Sequence, residues 1–321
     1  MTALWYVGPG RVELRPAPLP PRAADEALVV MRASALSPGT ERLVLAGRVP
    51  ESQYATMRAP LMQGDFPYPV KYGYAAVGVV EDGPGPLIGQ RVFVLHPHQR
   101  RFLAPAAMCI PIPDAVPDAR AVMAANMETA VNILWDAAPL PGERVLVIGA
   151  GIVGLLAVAL LARIPGLTLT VIEPDPRRAA MAAALGAECC APSAAPTGQE
   201  LILHASGAPD GLVLALGAAG FEARIVEASW YGSRPVTLPL GEAFHQKRLR
   251  LISSQVGAVA PSMRGRRSHA ERLALALALL ADPRLDTLHG VVARFEELPD
   301  RLPELLAPGA EVPPCPVILY P

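Results

Sequence analysis

Two hydrophobic rhythms divide this chain of 321 residues. Up to about residue 125, short apolar runs are cut at close intervals by proline and glycine. Ala27–Ala35, Tyr74–Glu81 and Gln90–Leu95 each predict a strand, and Phe102–Ile112 contributes more. Asp82-Gly83-Pro84-Gly85 marks a turn, and Ser37–Ala59 holds helix-compatible pieces between loops. Many short strands with such turns predict a β-barrel-type domain. Asp118–Ala137 predicts one helix running from this domain into a second. From Arg144 onward, strand and helix alternate. Arg144–Ile148, Thr168–Ile172, Glu188–Ala191, Glu200–Ala205, Ala223–Ala228 and Leu249–Gln255 predict strands. Ile152–Arg163, Pro176–Leu185 (ended by Gly186) and Asp210–Leu216 predict helices. The alternation predicts a doubly wound, mostly parallel sheet over 126–258. Ser268–Ala281 reads as an Ala/Leu helix, and 259–321 as a return to the first domain, residues 1–125.

One stretch of the second region carries chemistry. Gly149, Gly151 and Gly154 follow the first strand in G-x-G-x-x-G spacing, a helix follows them, and Glu173 ends the second strand. This is the mononucleotide half of a Rossmann sheet, which binds a dinucleotide at its first turn. Gly149 permits the tight turn, Gly151 lets backbone approach a pyrophosphate, and Gly154 lets the helix pack closely. The N–H groups of the helix start, at Ile152 and Val153, point partial positive charge at the phosphates. Glu173 accepts hydrogen bonds from ribose hydroxyls and repels a 2′-phosphate, which favours NAD. Arg177 and Arg178 follow in the same loop and would suit a 2′-phosphate, so NADP stays open.

Composition narrows the partners. The net charge of −1 and the lack of a basic stripe with interleaved aromatics argue against nucleic acid. Hydrophobic content is 52%, yet Ile152–Ala162 and Leu273–Ala281 are too short to span a bilayer. Met1–Gly10 lacks the basic start and apolar core of a signal peptide, so the cytoplasm is the expectation. The four cysteines, Cys109, Cys189, Cys190 and Cys315, form no C-x-x-C pair, which excludes a cysteine-rich zinc site. Cys189 and Cys190 read as small apolar fillers at a strand start.

The order of parts resembles the medium-chain dehydrogenase/reductase family, the alcohol dehydrogenase-like proteins, over nearly the whole chain. Ala33-Ser34-Ala35-Leu36-Ser37-Pro38-Gly39-Thr40-Glu41 looks like the family's A-S-G-I-C-G-T-D segment with one residue inserted. Pro69–Gly78 looks like its P-x-x-x-G-H-E-x-x-G segment, Gly89–Val92 like its G-D-R-V strand, and Ala205-Ser206-Gly207 like the turn after the fourth Rossmann strand. The Ser-Pro-Gly-Thr-Glu and Gly-Tyr-x-Ala-Val-Gly forms look closest to a branch that includes bacteriochlorophyllide hydroxyethyl dehydrogenase. The resemblance implies a GroES-like β domain, a Rossmann domain, a cofactor contact at Ser206, hydride transfer with NAD or NADP in the cleft between the domains, and a homodimer. Zinc-dependent members place Cys and His-Glu where this chain has Ser37, Tyr74 and Ala75. A hydroxyl is a poor zinc ligand beside thiolate and imidazole, so no catalytic zinc is expected.

Without zinc, another group must polarise the substrate oxygen. Tyr74 stands where the imidazole is lost, and a phenol can donate to a developing alkoxide; it can also simply pack a wall. Thr40 matches the family's hydroxyl relay position. Lys71 would lower the Tyr74 pKa if its ammonium lay nearby, and otherwise is a solvated cation. Glu128 stands near the third ligand position, or pairs within its helix. His96 and His98 would share a face on a strand, and pairing with Glu41 or Glu128 would make a different metal site. No G-x-S-x-G elbow supports a serine hydrolase. The chain reads as a zinc-independent oxidoreductase of an alcohol or carbonyl, with a small, hydrophobic substrate. A zinc-free quinone or enoyl reductase and a non-catalytic dinucleotide sensor or assembly subunit remain the alternatives.

Overall fold

Apolar runs interrupted by proline and glycine become antiparallel strands in the first of two units. The computed structural model describes residues 1–321. The first unit comprises Met1–Ala125 and Leu273–Pro321, and the second Asn126–Arg272. In the first, a seven-stranded sheet runs His289–Arg294, Cys315–Leu319, Glu26–Ala35, Ala76–Asp82, Arg91–Val94 and Ile110–Pro111, with Arg101–Pro105 also paired to Glu26–Ala35. The alternation in Glu26–Ala35 buries Ala27, Val29, Met31 and Ala33 on one face. A smaller sheet orders Arg11–Pro16, Thr2–Gly8, Val70–Lys71 and Gln63–Gly64. The core between them includes Tyr6, Met31, Phe102 and Phe295. The tail strand Cys315–Leu319 pairs antiparallel with Glu26–Ala35, Val317 opposite Ala35. That pairing brings Tyr320 to Ser34, their hydroxyls 3.0 Å apart.

In the second unit the predicted alternation gives a six-stranded parallel sheet. Its order is Glu188–Cys190, Thr168–Ile172, Arg144–Ile148, Gln199–His204, Ala219–Glu227 and Arg250–Ser253. The registers align the carboxyl ends: Ile148 with Ile172, Ile148 with His204, and His204 with Glu227. Helix Ile152–Leu161 is apolar nearly all round, and its residues from Gly154 to Ala159 are buried.

The structure corrects several details of the sequence reading. Asp118–Ala137 is two helices, Asp118–Ala121 and Ala124–Ala137. The break falls where the Met123 N–H turns to the Arg120 carbonyl, three residues back, tightening the chain. Residues 259–272 cluster with the second unit and not with the return to the first. Cys189 is exposed and Cys190 half-buried, because Glu188–Cys190 is an edge strand; neither is a core filler.

Arg272 explains why 259–272 stay with the second unit. Its side chain is 1% exposed. Nε donates to Glu128 Oε1 at 3.0 Å, Nη1 to Asn132 Oδ1 at 2.5 Å, and Nη2 to the Val256 carbonyl at 2.5 Å. One guanidinium thereby ties the Ala124–Ala137 helix to the 256–258 segment. Removing it leaves Glu128 buried without its counter-charge. Arg272→Ala is expected to lower unfolding free energy by about 3–5 kcal/mol, read by urea denaturation, and Arg272→Met with Glu128→Leu to recover most of that loss.

Candidate active site

The glycine turn has the geometry of a dinucleotide cradle. Gly149 has φ +102, and a Cβ there would lie 2.7 Å from Ser206 Cα, so the Ser206 backbone sits against the turn. A Cβ on Gly154 would lie 2.0 Å from the Gly149 carbonyl oxygen; the helix start is packed onto the turn itself. Gly151 faces open space and is the N-cap of Ile152–Leu161, with no side chain capping the helix. The N–H groups at Ile152 and Val153 are thus left for an anion, and the residues present fit a pyrophosphate.

Glu173 stands beside this turn. Its Oε2 accepts the Ala150 N–H at 2.8 Å and its Oε1 the Asp175 N–H at 2.9 Å. Each oxygen keeps a lone pair for a ribose hydroxyl. Arg177 is drawn onto Asp175, whose Oδ1 accepts its N–H at 2.9 Å and whose Oδ2 is 3.3 Å from Nη2. Arg178 Nε lies 3.8 Å from the same carboxylate. The Arg177 bonds hold Asp175 below the usual carboxylate range. A carboxylate therefore already faces the arginines that would have met a 2′-phosphate.

In the first unit, three hydroxyls converge. Tyr74 donates to Ser37 Oγ in a short bond and lies 3.3 Å from Thr40 Oγ1. Burial pushes the Tyr74 phenol up, and the bonds to Ser37 and Thr40 offset only part of that, so it stays protonated at neutral pH. Glu41 clamps the segment that carries Ser37 and Thr40. It is buried; Oε1 accepts the Ser37 N–H at 2.7 Å, and Oε2 accepts the Tyr6 hydroxyl at 2.6 Å and lies 3.2 Å from His98 Nε2. The Ser37–Glu41 spacing of one helical turn hints at the first bond. Nothing local in the sequence signals Tyr6 or His98 as partners.

The other sequence candidates go elsewhere. Lys71 donates to Gln99 Oε1 at 2.5 Å, and no bond joins it to Tyr74. It does not lower the Tyr74 pKa, which is raised. Nor is it a solvated cation: it is 2% exposed, and burial pulls its ammonium down to about 8. Glu128 is committed to Arg272. His96 stacks on Phe102 at 3.7 Å and is pushed down to about 3 by burial, while His98 bonds Ser34 and Glu41. The two histidines share no ligand-like arrangement, and no group of three or more His, Cys, Asp or Glu is placed to hold a metal ion.

No family model matches the chain. Solved structures match its fold from end to end. An alcohol dehydrogenase of E. coli CFT073, complexed with NADH, superposes with a TM-score of 0.79 at 20% identity, covering 100% of this chain and 98% of that one. An alcohol dehydrogenase of Thermus sp. ATN1 gives 0.76 at 20% identity and 100% of both chains. The quinone oxidoreductase of Thermus thermophilus, solved also with NADPH, gives 0.73 at 24% identity, covering 99% and 100%. This is the medium-chain dehydrogenase/reductase fold. Ser37, Thr40 and Tyr74 offer hydroxyls bonded to one another, and Ala75 beside Tyr74 offers only a methyl. That donor set does not fit zinc, which takes thiolate, imidazole and carboxylate.

Lys71 has a measurable consequence for stability. Its native pKa is depressed, so as pH falls from 10 to 8 the unfolded chain takes up the proton first and stability falls. Well above pH 10.5 both states are neutral at this residue; well below pH 8 both are charged and the cost is constant. Lys71→Met removes the titration. The stability difference between Lys71→Met and wild type is expected to shift in favour of the variant by about 2–3 kcal/mol as pH falls from 10 to 8, followed by urea unfolding at each pH.

Proposed function

We propose that this protein is an NAD-dependent, zinc-independent oxidoreductase acting on an alcohol or carbonyl compound. The observation that carries the reading is the Tyr74 hydroxyl held by Ser37 and Thr40, in segments whose sequence resembles the metal-holding ones of zinc-dependent family members. A bound nicotinamide supplies or receives the hydride. The chain's own work is at the oxygen. In the reducing direction the Tyr74 O–H donates its proton to the oxygen that gains charge as the carbonyl carbon takes the hydride. The phenolate left behind accepts hydrogen bonds from Ser37 and Thr40 and recovers a proton through them. In the oxidising direction the same hydroxyls carry the alcohol proton away. Glu41 keeps Ser37 in place, with its carboxylate satisfied by three donors.

The cofactor preference follows from Glu173 and Asp175. A 2′-phosphate would meet two carboxylates, and Arg177 and Arg178 are already turned to one of them. Fluorescence titration is expected to show NADH binding at least about tenfold more tightly than NADPH, with Glu173→Ala narrowing the gap. Equal affinities would reject the assignment to NAD.

The chemical step is tested with NADH and a panel of aldehydes, ketones and quinones, and with NAD and alcohols. Tyr74→Phe is expected to reduce kcat by about 10²–10⁴-fold while NADH affinity stays unchanged. Turnover of a carbonyl that survives Tyr74→Phe would remove Tyr74 from the mechanism. Reduction of quinones alone would move the reading to a quinone reductase, and NADH binding without any turnover to a dinucleotide sensor.

A further inference from the structure

At the carboxyl edge of the parallel sheet, three side chains are connected as a nucleophile, a base and an orienting carboxylate. Ser206 Oγ lies 2.7 Å from His204 Nε2, and His204 Nδ1 lies 2.7 Å from Glu227 Oε2. His204 is 0% exposed, while Ser206 is exposed. In the tautomer whose Nδ1 donates to Glu227, Nε2 is left to accept the Ser206 O–H. Glu227 is itself fixed: Oε1 accepts the Ser229 N–H at 2.6 Å and Oε2 the Tyr231 hydroxyl at 2.9 Å. Ser206 Oγ accepts the Ala208 N–H at 3.1 Å, which orients the hydroxyl.

The backbone is shaped around this group. His204 and Glu227 stand side by side in the register of two parallel strands, and Ser206 follows His204 by two residues. The start of helix Pro209–Ala218 lies over the pair: a Cβ on Gly211 would come 2.5 Å from His204 Nε2 and 2.8 Å from Ser206 Oγ. Only glycine leaves the Ser206–His204 bond room there.

We propose that Ser206 is an activated nucleophile, an acceptor of acyl groups from activated esters when no dinucleotide lies on the adjoining glycine turn, in addition to the hydride chemistry. Ser206 Oγ attacks the ester carbonyl and the Oγ–acyl bond forms. The bond from carbonyl carbon to leaving-group oxygen breaks, and the leaving alkoxide or phenolate departs. The Ser206 proton passes to His204 Nε2, and the imidazolium is stabilised by Glu227. No redox partner enters. The arrangement follows the logic of a serine triad without the sequence elbow that usually announces one.

The test uses the full chain without dinucleotide and a fluorophosphonate probe. Ser206 Oγ bonds to phosphorus, fluoride leaves and His204 takes the proton. Peptide mapping by mass spectrometry is expected to place the adduct on Ser206, and Ser206→Ala to abolish it. Glu227→Gln is expected to slow labelling on the order of 100-fold, because the base loses its orienting charge. Gly211→Ala, which keeps all three groups but wedges them apart, is expected to slow it comparably. p-Nitrophenyl acetate should release a burst of p-nitrophenolate of about one equivalent per chain, absent in Ser206→Ala. A wild-type chain with no adduct at Ser206 overturns the proposal, whatever the variants do. An adduct formed at the same rate in folded Glu227→Gln and Gly211→Ala overturns it as well.

Discussion

The parallel register of the second unit's sheet is the constraint on which its chemistry depends. Parallel strands end on the same edge, so residues far apart in sequence meet there without any local signal. Ile148 is in register with both Ile172 and His204, and the ladder continues into the turns as Gly149 N–H bonds the Ile172 carbonyl and Ala205 N–H the Ile148 carbonyl. This sets Gly149, Glu173 and Ser206 along one line. A slip of one residue in any pair would turn the next side chain to the other face and dismantle the edge. The glycines matter because the edge is crowded: at Gly149, Gly154 and Gly211 a single methyl would meet backbone or a working side chain within 3 Å.

The first unit rests on a different constraint, a buried carboxylate that must be satisfied. Glu41 accepts from the Ser37 N–H and the Tyr6 hydroxyl and lies within bonding distance of His98, which continues through Ser34 to Tyr320. The members of this network come from the first strand, the start of helix Pro38–Leu45, the loop after Arg91–Val94, the longest strand and the returning tail. Leaving such a group unpaired costs several kcal/mol, so the network selects one arrangement of these segments. Its by-product is a fixed Ser37 and Thr40, and hence a fixed orientation of the Tyr74 hydroxyl. The network and the hydroxyl cluster are neighbours through backbone, and Glu41 acts on Tyr74 only by position and charge.

Much of this is legible in the sequence. Hydrophobic period, glycine spacing and a terminal acid are local properties, and they specify the strand–turn–helix–strand–acid unit with its partners in order. The proximity of Tyr74 to Thr40 is readable through the family resemblance alone. Lys71 and Glu128 escape a sequence reading because the roles open to each depend on a neighbour. The neighbour of Lys71 is Gln99, 28 residues on, and that of Glu128 is Arg272, 144 residues on. A histidine pair two apart suggests one face of a strand; the strand ends at Val94, before both, and the rings separate to Phe102 and to Glu41.

The sequence by itself therefore determined most strands and helices of the second unit and the glycine spacing of its first turn, since both follow from near-neighbour spacing. The tertiary structure alone decided which charges are paired, which histidine faces which carboxylate, and that Ser206 stands on His204 and Glu227. Those outcomes depend on register between strands and on the closing of long loops. Side-chain chemistry sets what such contacts are worth, but only the fold sets who meets whom.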